Sequence, residues 1–263
     1  MDHALGMGHT PRPESSHSFS STERPWPAPA GTPAMRMTWS ELLFAHWSFE
    51  PDLVARTLPA GLALDTFEGR AWLGVVPFRM SGVRLAGLPS FGVGERFPEL
   101  NLRTYVTHGG KPGVWFYSLD AASPLAVAGA RGWFNLPYFT ARMSCESRVD
   151  TVQYASMRTH AGAPSAELLA QYRPTSAPRR AARGSLESWL TDRYCLYTLD
   201  HSGRLTRGEI DHAPWPLQDA EAHIERCTLA QASGFTLPDQ RPLLHYAQSI
   251  DVVAWSPALT DAP

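Results

Sequence analysis

The stretch Phe97–Ala121, FPELNLRTYVTHGGKPGVWFYSLDA, decides the fold of this 263-residue chain. It predicts two long strands joined by a tight turn, because two strand-forming runs flank the glycine-rich segment 109–113. Alternate side chains of a strand point to opposite faces, so one face of the first strand carries a row of hydrogen-bonding groups. They belong to Glu99, Asn101, Arg103 and Tyr105. This face lies either against solvent or inside a polar-lined cavity.

The strand predicted at residues 70–79 favours the inward orientation of that polar face. Its apolar residues occupy both sides, with Val76 and Phe78 on one and Leu73 on the other. This pattern is typical of a central strand that is covered on both faces. Periodicity elsewhere predicts about ten strands and a few short helices. We therefore expect an α+β fold dominated by a mostly antiparallel β-barrel.

Three segments of unequal length divide the chain. Residues 1–36 are rich in Pro, Ser, His and Gly without an apolar period, which predicts a disordered tail. No linker interrupts residues 37–256, so we expect a single barrel domain there, followed by a C-terminal tail at 257–263. Within the domain, residues 38–49 are predicted to begin as a helical turn and continue as a strand, and residues 81–96 to form a glycine-rich loop.

Composition excludes several classes of protein. Hydrophobic residues make up 43% of the chain, and the formal charge of -2 argues against a nucleic-acid or anionic-membrane partner. No apolar run reaches about 18 residues, so no transmembrane helix is expected. The three cysteines have no metal-ligand spacing and are expected to be reduced thiols of a cytoplasmic protein. No feature specifies an oligomeric state.

The polar strand face supports two interpretations. In the first, Arg103 is a structural residue whose buried guanidinium pairs with a carboxylate, for which Asp120 on the next strand is the candidate. In the second, Arg103 anchors an anionic ligand in a pocket, where its fork of N–H donors suits a carboxylate. The sequence leaves both open.

Lys111 is the chain's only lysine, and it lies in the turn segment GGKPG. An imine-forming lysine must be desolvated for its amine to be free at neutral pH. Lys111 is instead predicted to be a solvated turn residue, which argues against Schiff-base chemistry. The histidines are too dispersed for local metal-ligand spacing, so neither a metal nor another cofactor is expected.

Six segments, taken in order, resemble the YqjF-like family of uncharacterised conserved proteins, domain of unknown function 2071, between Trp39 and Trp255. These segments are HWSFEPDLVARTLPAGLALDTFEGRAWLGVVPFRM, FPELNLRTYV, PGVWFYSLDA, ARGWFNLPYFTARM, GSLESWLTDRYCLYT and HAPWPLQDAEAHI. More distantly, the chain is similar to the acetoacetate decarboxylase-like superfamily, which implies a β-barrel that encloses a pocket.

The same resemblance bears on mechanism. In the decarboxylases, a proline in the corresponding strand precedes two lysines, one of which forms the imine. Here Pro137 is followed by Tyr138 and Phe139, so the resemblance does not imply decarboxylation by that route. Glu99 is the nearest match to a glutamate of the decarboxylase pocket.

The leading functional hypothesis is a barrel that binds a small molecule, in particular an organic acid. Arg103 anchors the ligand in this hypothesis, and Glu99 and Tyr138 are the acid–base candidates if turnover occurs. Further ligand-binding candidates are Asn101, Tyr105, Trp115 and Tyr117, with Trp133 as an additional wall residue. One alternative is a non-catalytic sensory or structural module with a buried polar network. Another is a lysine-independent lyase or hydratase that enolises its substrate at Glu99.

Overall fold

The computed structural model describes residues 24–87 and 96–260, which contain thirteen strands and four short helices. The strands are β1 (Met35–Phe49), β2 (Ala63–Leu64), β3 (Ala71–Leu85), β4 (Phe97–His108), β5 (Lys111–Ala121), β6 (Tyr138–Arg148), β7 (Thr151–Arg158), β8 (Glu167–Pro174), β9 (Cys195–Leu199), β10 (Leu205–His212), β11 (Leu217–Cys227), β12 (Leu243–Ala254) and β13 (Ala258–Leu259). The helices are α1 (Pro51–Ala55), α2 (Pro124–Phe134), α3 (Leu186–Thr191) and α4 (Leu229–Ala232). No helix in these ranges has both the length and the apolar character needed to cross a membrane.

The strands close into a barrel. Nine of them form a ring in the order β5-β6-β7-β8-β11-β12-β1-β3-β4, and the β4–β5 hairpin completes it. A second ring arises because β9 and β10 connect β5 to β12. Most pairs are antiparallel, whereas β5 runs parallel to β6 and β9. The predicted α+β, mostly antiparallel barrel is confirmed.

Five strands, β12, β1, β3, β4 and β5, belong to both rings, so both of their faces are buried. In β1, Leu42 and Phe44 pack into one apolar cluster, which includes residues of α2. Their neighbour Leu43 packs into the other cluster, which includes residues of β7 and β8. This arrangement explains why β3 is apolar on both faces, since each face of the shared strands covers a separate core.

The predicted hairpin is present, with Gly109 and Gly110 in its turn at positive φ, a backbone region that glycine adopts without a steric penalty. Its register places Glu99 opposite Ala121 and Tyr105 opposite Val114. A register shift after Leu102 inserts one extra residue into β5.

The prediction that residues 38–49 begin as a helical turn is wrong, because they belong to one strand, β1, which pairs with β12 on one side and, outside residues 41–44, with β3 on the other. The helix-like pattern marks a bulge at Glu41, whose φ is 56°. Tyr172 donates a 2.8 Å hydrogen bond to the Glu41 carbonyl, and Arg79 donates a 2.7 Å bond to its carboxylate. These contacts hold the bulge in place.

Both predicted tails are too long. Arg24 is buried and forms an ion pair with Glu209, and the Trp26 indole N–H donates a 2.7 Å hydrogen bond to the same carboxylate. At the other end, Ala258 and Leu259 form β13 against β10. Order therefore extends beyond the predicted boundaries because the barrel offers partners there. The rest of the predicted tails (1–23 and 261–263) and the segment 88–95 of the predicted loop lie outside the described residues.

Candidate functional site

Glu99 and Tyr138 meet inside the ring that contains β9 and β10. The Tyr138 hydroxyl donates a 2.9 Å hydrogen bond to Oε2 of Glu99, and both side chains are buried. The topology brings them together, because Tyr138 begins β6 opposite Leu119 of β5, and Leu119 in turn faces Asn101 on β4. The two residues proposed as acid–base candidates are therefore in direct contact.

This pair lines a cavity of about 200 Å³ whose walls are otherwise mostly apolar, apart from Glu209, which is ion-paired with Arg24. The volume lies below the roughly 300–1,000 Å³ of pockets for drug-sized ligands, so it suits a smaller molecule. Helix α2 contributes Trp133, which is 45% exposed, so this part of the wall borders solvent. Other wall residues are Met37, Trp39, Met80, Phe97, Phe116 and Leu136.

The surroundings of Glu99 favour its neutral form. Burial raises the pKa of Glu99 from its ordinary 4.5 to about 8, and the hydrogen bond from Tyr138 opposes this shift only in part. The pKa of Tyr138 is also raised well above its ordinary value, first by burial and then by Glu99. No Arg, Lys or His is among the described residues that line the cavity. At neutral pH the pair therefore carries no full charge, and because the Tyr138 O–H donates to Glu99, the Glu99 O–H is its remaining donor.

Arg103 and Tyr105 form a second polar group in the same ring. The His46 Nε2 atom lies 2.6 Å from the Tyr105 hydroxyl, and the Arg103 guanidinium carbon lies 5.7 Å from the centre of the Tyr105 ring. Arg103 does not line the Glu99 cavity. Four residues of strand separate Arg103 from Glu99 by about 13 Å, so one small ligand in this cavity does not reach both.

Asp120 is not the partner of Arg103. Both of its carboxylate oxygens accept hydrogen bonds from Arg158, at 2.7 and 3.0 Å. Asp120 lies opposite Leu100 in the hairpin, and therefore on the face away from Arg103. The buried bidentate pair joins β5 to β7.

Trp115 and Tyr117 do not wall the cavity, which corrects the sequence-based prediction. They lie on the face of β5 opposite to Glu99: Trp115 packs beside Val106, and Tyr117 bonds Thr57 at 2.6 Å. The hairpin register instead turns Val114 and Phe116 inward. The predicted wall residue Trp133 does line the cavity, and Asn101 shares the face of Glu99 with an unpartnered Oδ1.

The sequence-based reasoning missed His46 and Trp39. Alternation along β1, in which Phe44 and His46 share a face, was the signal that could have identified His46. The bulge at Glu41 obscured it.

Lys111 is not a free turn residue, because it begins β5 and its Nζ lies 3.7 Å from Glu209 Oε1. It does not line the cavity, so the case against an imine is unchanged. Within the described ranges no group of three or more His, Cys, Asp or Glu side chains could hold a metal ion.

Comparisons with known proteins agree with this architecture. The family profile described as an uncharacterized conserved protein, domain of unknown function 2071, matches residues 36–251. The uncharacterized protein YqjF of Bacillus subtilis (strain 168) is 47% identical over 227 residues, which cover 86% of this chain and 93% of that protein.

Two solved structures share the fold at low sequence identity. Enduracididine biosynthesis enzyme MppR, complexed with pyruvate, superimposes with a TM-score of 0.59 at 13% identity and covers 88% of this chain and 91% of its own. Acetoacetate decarboxylase from Legionella pneumophila gives a TM-score of 0.59 at 14% identity and covers 94% and 98%.

Proposed function

This chain belongs to the conserved family of domain of unknown function 2071, and from that premise we propose that it binds a small carbonyl compound or organic acid. The observation that supports this proposal is the hydrogen-bonded pair Glu99–Tyr138 at the wall of a mostly apolar cavity of about 200 Å³. The O–H group of the neutral Glu99 carboxyl, held in place by Tyr138, donates to a carbonyl or carboxyl oxygen, and the apolar surface takes up a short carbon chain.

The charge of the cavity refines the class of ligand. A bare carboxylate finds no cation among the described wall residues and would be costly to desolvate. An organic acid therefore binds with a proton, either its own or one shared with the carboxyl group of Glu99, as two adjacent carboxyls do. The pyruvate complex of the structurally similar MppR supports a ligand of this size and chemistry.

A second candidate function, enolisation of the bound carbonyl compound, has one specific observation in its favour. A general base works best when its pKa is close to the working pH, and the pKa of Glu99 is about 8. The ionised Glu99 would take a proton from the carbon next to the carbonyl and become a neutral carboxylic acid. The Tyr138 hydroxyl would then turn its single O–H from Glu99 to the enolate oxygen. This is lyase or hydratase chemistry that needs no lysine.

Binding is tested by isothermal titration of pyruvate and of the uncharged ketone butanone at pH 6.5 and 9. We expect the wild type to bind at pH 6.5 and its affinity to fall at least tenfold at pH 9, because Glu99 ionises. At pH 6.5 the affinity of Glu99→Ala and of Tyr138→Phe should be at least tenfold lower than that of the wild type. The matched control Tyr117→Phe removes a hydroxyl outside the cavity and should bind as the wild type does. Equal binding by all variants would refute the site, and no binding of either compound would favour the non-catalytic module.

Turnover is tested by proton NMR of pyruvate in D₂O. If Glu99 enolises the ligand, the methyl signal decays faster with protein than without it. With pyruvate kept saturating at each pH, the rate rises with pH through about 8. Glu99→Gln, which has no base, should reduce the exchange to the background rate. Binding without exchange would mean that the protein binds the compound but does not enolise it.

A further inference from the structure

We propose that a second binding site lies around Arg103 and Tyr105, in the ring that contains β9 and β10. It binds a small monovalent anion at the guanidinium of Arg103. The site is separate from the Glu99 cavity and does not depend on the function proposed above. It follows from an imbalance of charge and of hydrogen-bond partners around Arg103.

Arg103 is 9% exposed, and its Nη2 donates a 3.3 Å hydrogen bond to the carbonyl oxygen of Leu190. Its Nε has no partner, and it forms no ion pair with any carboxylate of the described ranges. The other deeply buried arginines differ in this respect, since each meets a carboxylate. The pairs are Arg24–Glu209, Arg158–Asp120 and Arg193–Asp65.

The groups around Arg103 do not supply the missing negative charge. Its guanidinium carbon lies 5.5 Å from the centre of the Phe44 ring, a cation–π contact that replaces only part of the hydration lost on burial. His46 is neutral, because burial first and then Arg103 and His245 hold its pKa well below the ordinary value. Tyr105, whose hydroxyl contacts His46 Nε2, brings no carboxylate to the site.

A second cation adds to the positive charge of this region. The Arg193 guanidinium carbon lies 4.9 Å from the centre of the Tyr105 ring. The Arg103 guanidinium carbon lies 5.7 Å from the centre of the same ring. Asp65 balances Arg193, through a 2.6 Å contact with Nη1, but Arg193 Nη2 keeps a buried N–H group without a partner. Two guanidinium groups therefore share one described carboxylate.

The backbone of β3 packs closely against Arg103 at Gly74. Gly74 lies opposite Arg103 on β3, and a Cβ there would sit 3.0 Å from the His46 ring and 3.5 Å from Arg103 Cγ. Unpartnered donors with an excess positive charge select an anion over a cation, and the close packing selects a small one. Chloride and formate represent the inorganic and carboxylate forms of this class.

The experiment compares thermal unfolding in sodium chloride, sodium formate and sodium gluconate at equal ionic strength. Gluconate is too large for the site and serves as the reference anion. We expect a saturable rise in Tm of about 5–10 °C at a hundredfold excess over Kd for chloride, formate or both. The anion that raises Tm shows whether the site takes an inorganic ion, a carboxylate or both. The rise should be lost in Arg103→Met and kept in Arg70→Met, whose arginine is half-exposed and paired with Glu50.

Arg103→Met has a second expected property, which a purely structural arginine would not show. In gluconate it should be at least as stable as the wild type, because an unpaired buried charge is replaced by an apolar side chain. No anion-specific rise in the wild type, or an equal rise in Arg103→Met, would overturn the proposal.

A measurement on the wild type covers the case in which Arg103→Met fails to fold. Crystals grown in sodium bromide should show an anomalous peak within hydrogen-bonding distance of the Arg103 guanidinium. Crystals with bromide elsewhere and none at Arg103 would also overturn the proposal.

Discussion

The Tyr154 hydroxyl donates a 2.7 Å hydrogen bond to the backbone carbonyl of Glu99. Tyr154 belongs to β7, in the nine-strand ring, whereas the Glu99 side chain points into the other ring. Both residues are buried. One core therefore fixes the backbone of a residue whose side chain lies in the other, which is a consequence of the strands shared by the two rings.

Removing this hydroxyl should destabilise the protein. Tyr154→Phe leaves a buried carbonyl with one hydrogen bond fewer, and we expect a loss of about 1–3 kcal/mol of unfolding free energy in urea. The control Tyr117→Phe, at a partly exposed hydroxyl, should cost about 0.5 kcal/mol or less. Equal losses in both variants would mean that the contact with Glu99 has no special role.

Glu99 should make stability depend on pH. Its folded-state pKa of about 8 exceeds its ordinary 4.5, so the folded protein keeps this proton longer than the unfolded chain does. The contribution of Glu99 is therefore fully present below pH 4.5 and is lost as the pH rises to about 8, at up to about 1.4 kcal/mol per pH unit.

Glu99→Gln isolates this effect, since the amide does not titrate. The unfolding free energy of Glu99→Gln minus that of the wild type should rise between pH 4.5 and 8 and then level off. Taking the difference removes the titration of other groups, such as Glu187, whose pKa Arg179 lowers to about 2. A difference that stays constant across this range would show that Glu99 is ionised in the folded protein.

The buried pair Asp120–Arg158 should be far more sensitive than an exposed one. Arg158→Met leaves the Asp120 carboxylate, 1% exposed, without its cation, and we expect a loss of about 3–5 kcal/mol. Arg70→Met breaks the exposed pair with Glu50 and should cost about 0–1 kcal/mol. Chemical denaturation of both variants measures the difference, and similar losses would contradict it.

Gly113 should tolerate no larger residue. A Cβ there would lie 2.7 Å from the Cys195 Sγ and 2.8 Å from the Cys195 carbonyl oxygen, where β5 meets β9. We expect Gly113→Ala to cost at least about 1–3 kcal/mol, because backbone has to move. Gly132→Ala, in α2 with open space around it, should instead stabilise by about 0.5–1 kcal/mol. A neutral Gly113→Ala would indicate that the second ring is loosely closed.

Lys111 should not form an imine with a carbonyl ligand. Its amine pairs with Glu209, and Lys111 is not among the residues that line the cavity. Incubation with pyruvate and borohydride, followed by peptide mass mapping, should show no adduct on Lys111 above the level seen in a denatured control. The N-terminal amine reports whether the reagent was active. A stoichiometric adduct on Lys111 would restore lysine chemistry to this protein.

The sequence alone determined the hairpin and the class of fold. Alternation along residues 97–108 and the paired glycines after them specify two strands and their turn, and these signals are local. The apolar pattern on both faces of β3 indicated a doubly covered sheet. The same local evidence placed Glu99, Asn101, Arg103 and Tyr105 on one face, as found.

Only the tertiary structure decided which of these groups act together. Tyr138 reaches Glu99 because β6 pairs in parallel with β5, and Arg158 reaches Asp120 because β7 follows β6. The register shift in β5 turned Trp115 and Tyr117 away from the cavity. Contacts between strands far apart in the chain depend on ring closure and register. A one-residue change of register reverses every side chain of a strand, and no local pattern encodes it.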